Sequence, residues 1–229
     1  SKLWNTDHAT LDVETACRKT LSDLHLEYLD LYLMHWGVAF KHGGDLQPVV
    51  NGHALTEKIS VRETWQAMES LVAKGLVKSI GVANFDATML IDLMTYAKIT
   101  PATNQIEVHP YNTQNELINY CNHLGIAVTA YSPLGRHGAQ GVTGPSILDD
   151  AHILELSKKY AHTPAQIILN WAVARGTIAI PKSVTLDRVK ENIQIYDFEQ
   201  NPDDISLIDN LNQNYRFIVP SSWGIPYFK

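Results

Sequence analysis

Cysteine is scarce: Cys17 and Cys121 are the two in 229 residues, and they show no CxxC spacing. Two thiols on the apolar sides of predicted helices read as core residues in a reducing, cytoplasmic setting rather than as a disulfide framework. Long apolar runs are also missing, none approaching the ~20 residues that cross a bilayer, so no membrane association is expected. Basic blocks are absent as well. The 18 Lys and Arg are scattered among 24 Asp and Glu for a net charge of −6, which argues against nucleic acid as a partner. No GxGxxG follows the first strand, so a dinucleotide, if one binds, is not held by a Rossmann turn. No metal site is expected. The chain opens Ser1-Lys2, with neither an initiator Met nor a targeting segment.

What is present is an ordinary globular composition, 45% hydrophobic and 18% charged, in a chain long enough to bury one full core, so a single domain over 1–229 is expected. Tyr28 to Trp36 organises the reading. Alternating aliphatic residues predict a strand over 28–35 that delivers His35 and Trp36 at its C-terminal tip. In parallel α/β proteins ligands collect at such strand ends, so His35 is a candidate site residue; alone, it would read as a partly buried His with one satisfied bond.

Around that strand, helices and strands alternate. Thr10 is the expected cap of a helix over 10–24 with Val13, Cys17, Leu21 and Leu24 on one stripe. Gly37 to Ile59 lacks periodicity and is long enough to read as a functional lid. Ser60 to Glu63 forms a capping box for a helix carrying Trp65, Met68 and Val72, which Gly75 ends, and Val77 to Val82 is a strand. Asp86 caps the next helix, Thr103 to Val108 is a strand, and Thr113 to Glu116 reads as a second capping box. An apolar strand follows at 126–130. Pro133 to Pro145, with Gly135, Gly138, Gly141 and Gly144, is a second irregular stretch suited to fold over a ligand. Helices are expected near 149–160, 163–175, 185–192 and 202–213, with a last strand at 177–180. This rhythm predicts a parallel sheet, either a barrel or an open doubly wound sheet.

Six stretches resemble the aldo-keto reductases in that family's order. They are Ser1 to Trp4, Tyr28 to Trp36, Gly75 to Phe85, Asn104 to Tyr111, Ala130 to Gly135 and Ile180 to Thr185. The resemblance implies a (β/α)8 TIM barrel that reduces aldehydes and ketones to alcohols with NADP(H). It implies that His35 orients the substrate carbonyl and that Lys2 is the lysine that lowers the pKa of a catalytic tyrosine. A preorganised donor at an oxygen becoming an alkoxide is reasonable chemistry, as is a cation beside a phenol. Asn84 and Gln105 match residues that fix the nicotinamide carboxamide, Tyr131 the aromatic on which that ring stacks, and Ser132 and Leu134 the loop along the pyrophosphate. Lys182, Ser183, Val184, Thr185, Arg188, Glu191 and Asn192 match the residues around the adenosine 2′-phosphate. A lysine, an arginine and hydroxyls at a helix start suit a phosphate. Trp36 and Trp223 match residues lining the substrate pocket, and Phe217, Trp223, Tyr227 and Phe228 lie in what would be the specificity tail.

Three departures qualify the resemblance. Ala83 stands where a Ser usually precedes the Asn, which should remove a carboxamide hydrogen bond worth about 1 kcal/mol. Gly37 replaces the Pro that more often follows His-Trp and should loosen the loop entry. The family's first strands and helices, roughly 75 residues at about 30 per βαβ unit, would precede Lys2. The chain would then run from the end of the barrel's third strand through its eighth and lack the catalytic Tyr and its partner Asp. A small carbonyl substrate and, for a complete barrel, a monomer are expected. The alternative is a non-catalytic binding or structural module on the same fold.

Overall fold

The computed structural model describes residues 1–136 and 144–228, in two compact units. The first comprises Ser1–Gln105, Tyr120–Ile126 and Val219–Lys229; the second comprises Ile106–Asn119 and Ala127–Ile218. Gly138 and Gly141 of the predicted irregular stretch lie outside the described residues.

The first unit begins with β1 (Lys2–Leu3) and α1 (Thr10–Leu24). Spacing of four places Val13, Cys17 and Leu21 on the buried stripe of α1, but Leu24 is 52% exposed, because the helix stops there and His25 turns into the left-handed region at φ 55°. Ala9, not Thr10, is the N-cap, and no side chain caps this end; Thr10 is already helical. Next come β2 (Leu29–Met34), a short hairpin of β3 (Val49–Val50) and β4 (His53–Ala54), and α2 (Val61–Ala73). The hairpin sits inside the aperiodic segment read as a functional lid. Its turn is Asn51-Gly52, both at positive φ, the dipeptide such tight turns demand. Ser60 Oγ accepts the Glu63 N–H at 3.1 Å, and α2 buries Trp65, Met68 and Leu71.

β5 (Val77–Ala83) and α3 (Ala87–Met94), capped by Asp86, lead to β6 (Thr103–Glu107). β1, β2, β5 and β6 are parallel neighbours, with Leu3 beside Met34, Met34 beside Val82 and Ala83 beside Gln105. Gly81 permits the last pairing to close: a Cβ there would lie 2.6 Å from the Thr103 carbonyl oxygen. α4 (Asn115–His123) starts one residue later than the second capping box requires, with Gln114 at φ 54° before it.

In the second unit β7 (Ala127–Tyr131) pairs in parallel with β8 (Thr177–Ile180), Tyr131 opposite Ile180. α5 (Ala151–Tyr160) and α6 (Pro164–Ala174) lie between them in sequence, and α7 (Leu186–Ile193) and α8 (Pro202–Asp209) follow. Thr163 and Gln166 form a full capping box on α6, whose interior is buried around Trp171. α7 buries none of its residues. Both cysteines are buried free thiols, and among the described residues no helix is long and apolar enough to cross a membrane.

Candidate active site

In the first unit the ends of three strands meet around His35. The parallel pairing of β1 with β2 lets the His35 N–H donate to the Leu3 carbonyl at 3.0 Å. That register carries the next residue of β1, Trp4, to the imidazole edge-on, with centroids 5.0 Å apart at 73°. From the other side, Asn84 leaves β5 at φ 62°. Its N–H donates to the Gln105 carbonyl and its side-chain amide to the His35 carbonyl, both at 3.0 Å. A left-handed non-glycine residue at a strand end costs energy that the fold must offset, and such residues concentrate at functional sites. Burial, with a smaller contribution from the Lys2 charge, lowers the His35 pKa to about 4, so its imidazole is neutral near pH 7 and carries one N–H donor. Lys2 is itself half-buried, and burial lowers its pKa.

Aromatic rings cluster around Trp36, the residue after His35. Trp36 stands edge-on to Trp223 and to Tyr227, each 5.0 Å between centroids, and Trp223 stands against Phe40 at 4.9 Å. Trp4 donates its indole N–H to the Leu46 carbonyl at 2.7 Å, which ties the segment preceding the hairpin to β1. A Cβ on Gly224 would lie 2.4 Å from the Gly52 carbonyl oxygen, so the turn bearing Trp223 is seated directly on the hairpin. Gly37 does not loosen this entry: its N–H donates to the Tyr227 hydroxyl at 2.9 Å, a bond that a proline could not make.

In the second unit, a cavity of about 970 Å³ gathers Ser132, Leu134, Lys182, Ser183, Val184, Thr185, Arg188, Glu191 and Asn192. Ser132 leaves β7 in the left-handed region, φ 49°, as Asn84 leaves β5. The hydroxyls are not equivalent. Ser183 Oγ accepts the Thr185 N–H at 3.2 Å, whereas Thr185 makes no side-chain cap, so the first-turn N–H groups of α7 lack a capping side chain. An uncapped helix start beside Lys182 and Arg188 fits an anionic group. Within the cavity lining, the Glu191 carboxylate accepts the Thr163 hydroxyl at 2.5 Å, tying α7 to the start of α6.

Two buried residues with no role assigned from sequence complete the second unit. Glu107 and His109 have fully buried side chains 3.0 Å apart. The Glu107 carboxylate also accepts the Phe217 and Ile218 N–H groups at 2.7 and 3.1 Å. Their signal was an acid at the end of a strand and a histidine two residues beyond it. Trp4 carried no local signal, since only the pairing of β1 with β2 brings it to His35.

The model of the Aldo/keto reductase family matches residues 1–213. Aldo-keto reductase family 1 member A1 of Rattus norvegicus is 48% identical over 96% of this chain and 69% of the rat protein. The Danio rerio member A1-A is 47% identical over the same shares. Among solved structures, the aldose reductase of Schistosoma japonicum superposes with a TM-score of 0.92 at 39% identity, covering 100% of this chain and 74% of that one. The Bombyx mori aldo-keto reductase in complex with NADP gives 0.86 at 39% identity, covering 97% and 70%.

Proposed function

Because the chain belongs to the aldo/keto reductase family, we propose that it reduces aldehydes and ketones to alcohols with NADPH, its parallel βα rhythm being that of a (β/α)8 barrel. The observation that carries this reading is His35: a neutral, half-buried imidazole at a strand end, its backbone held by Asn84 and Leu3 and its ring beside the Trp4 indole. NADPH, held by the residues named below, would supply the hydride for a carbonyl carbon. The carbonyl oxygen then gains negative charge, and an N–H donor already in place there stabilises the transition state more than the ground state. His35 is that donor. By the family resemblance, the proton for that oxygen comes from a tyrosine, and Lys2 supplies the positive charge that lowers the pKa of its phenol. Trp36 and Trp223 form the apolar wall that takes the rest of a small carbonyl substrate and keeps water from it.

Cofactor residues are assigned on the same reading. Asn84 and Gln105 hold the carboxamide, Tyr131 takes the nicotinamide face, and Ser132 and Leu134 follow the pyrophosphate. Lys182, Ser183, Val184, Thr185, Arg188 and Asn192 receive the adenosine end. The uncapped start of α7 between two cations supports a 2′-phosphate there, hence NADPH over NADH.

The test is NADPH consumption, followed by absorbance, with a simple aromatic aldehyde and with His35→Ala as control. Turnover that falls about 100-fold in the control is expected, the usual cost of one lost transition-state donor. NADPH binding without turnover would overturn the reductase reading.

A further inference from the structure

We propose that Gly37 and Tyr227 form a latch that limits the size of the carbonyl substrate admitted beside Trp36. The inference rests on the reductase reading and adds a specificity-determining contact to it. Gly37 directly follows His35 and Trp36, and its N–H reaches across 190 residues of sequence to the Tyr227 hydroxyl at 2.9 Å. That hydroxyl donates in turn to Met89 Sδ at 3.6 Å, so the phenol uses both its accepting and its donating capacity. A side chain at position 37 would have to displace the end of Met89. A Cβ there would lie 2.1 Å from Met89 Cε and 3.3 Å from the Phe85 ring. Any other residue displaces the thioether that accepts from Tyr227, and proline in addition removes the donor. Glycine is therefore the residue type that allows Tyr227, Met89 and the backbone after Trp36 to meet.

The consequence falls on Trp36. Tyr227 stands edge-on to it at 5.0 Å and 86°, and Phe228 lies 5.6 Å from it. The other end of this short tail is fixed independently where Gly224 seats on Gly52, which holds Trp223 against Trp36. With both ends anchored, the wall of rings around Trp36 cannot retreat from a bulky group without breaking the Gly37 to Tyr227 bond. The latch thus excludes by size, and releasing it should widen acceptance while leaving the fold in place.

The experiment compares the unsubstituted chain with Tyr227→Phe, which removes the hydroxyl and keeps the ring. NADPH consumption is measured with butyraldehyde and with 1-naphthaldehyde, and acrylamide quenching of tryptophan fluorescence is measured without substrate. Loss of one hydrogen bond should shift the naphthaldehyde-to-butyraldehyde ratio of kcat/KM about fivefold toward the larger aldehyde, chiefly through KM. Quenching should rise as Trp36 and Trp223 become more accessible. Gly37→Ala, which keeps the N–H but displaces Met89, should move both readouts in the same direction. An unchanged ratio in both variants overturns the proposal even if quenching rises, because the tail would then move without setting specificity. Should the unsubstituted chain oxidise no NADPH with either aldehyde, the reductase reading fails and the size limit falls with it; the quenching comparison still shows whether Tyr227 closes the tail over Trp36.

Discussion

The side-chain amide of Asn84 donates to the backbone carbonyl of His35 over 3.0 Å, tying the end of β5 to the residue on which the proposed chemistry turns. Asn84 does so from a left-handed backbone, φ 62°. Asn84→Ala loses the bond and strains the backbone, and should cost about 1–3 kcal/mol in urea unfolding. Asn84→Gly loses the bond alone and should be about 1 kcal/mol less damaging than the alanine. Equal losses would show that the left-handed conformation is not what Asn84 is there to hold.

Acid should destabilise the fold in a defined window. Burial lowers the pKa of His8 to about 4, and burial with the Lys2 charge does the same for His35, from ordinary values of 6.5. Between about 6.5 and about 4 the unfolded chain binds the protons that the folded chain refuses, so stability falls as pH is lowered through that window and the contribution levels off below it. His8 Nε2 is buried without a hydrogen-bond partner, which fits a neutral ring. His8→Leu should flatten the dependence of Tm on pH between these limits; a slope unchanged by the substitution would mean that His8 titrates normally.

At the second unit's cavity, charge should separate the two nicotinamide cofactors. Arg188→Ala removes a cation at the start of α7 and should weaken NADPH roughly tenfold, about 1.5 kcal/mol for one charge-assisted bond, while barely changing NADH. The loss should shrink as salt rises. Fluorescence titration with both cofactors checks this, and equal weakening of the two would place the 2′-phosphate elsewhere.

Glu107 should be costly to replace although it touches no proposed ligand. Its carboxylate is fully buried and serves His109, Phe217 and Ile218 together. Glu107→Ala strands three buried donors and should cost about 3–5 kcal/mol, measured by urea unfolding. A loss under about 1 kcal/mol would mean that water replaces the carboxylate there.

Local pattern carried most of the secondary structure. The spacing of Val13, Cys17 and Leu21 predicts α1, and Thr163 as cap with Pro164 at the first position predicts the start of α6. The misreadings are at boundaries and in loops. Leu24 fits the stripe but lies where His25 ends the helix, and Asn51-Gly52 marks a hairpin that its long irregular surroundings hide. Within the site, His35 and Trp36 were legible because a strand ends on them. Of what stands around them, the resemblance named Trp223 and the tail residues Tyr227 and Phe228, whereas Trp4 arrives through strand register and the Gly37 to Tyr227 bond spans 190 residues, which no local pattern shows. Gly37 shows the limit most directly. Its backbone freedom predicts a looser loop, whereas the property the structure uses is its N–H and its lack of a Cβ. Ser183 adds a detail of the same kind: sequence counts its hydroxyl toward an anion, and geometry shows its oxygen also accepting the Thr185 N–H.

The 110 residues that separate Glu107 from Phe217 set an order of events during synthesis. The carboxylate is made long before the two amides that will receive it, so until they emerge β6 must keep that charge in water. The strand end can become dry only after the distant segment has docked, and closing so long a loop is slow compared with forming the neighbouring helices. The late-made segment therefore decides when this part of the interior seals, and a chain interrupted between the two would carry an ionised acid at the position where its core should begin.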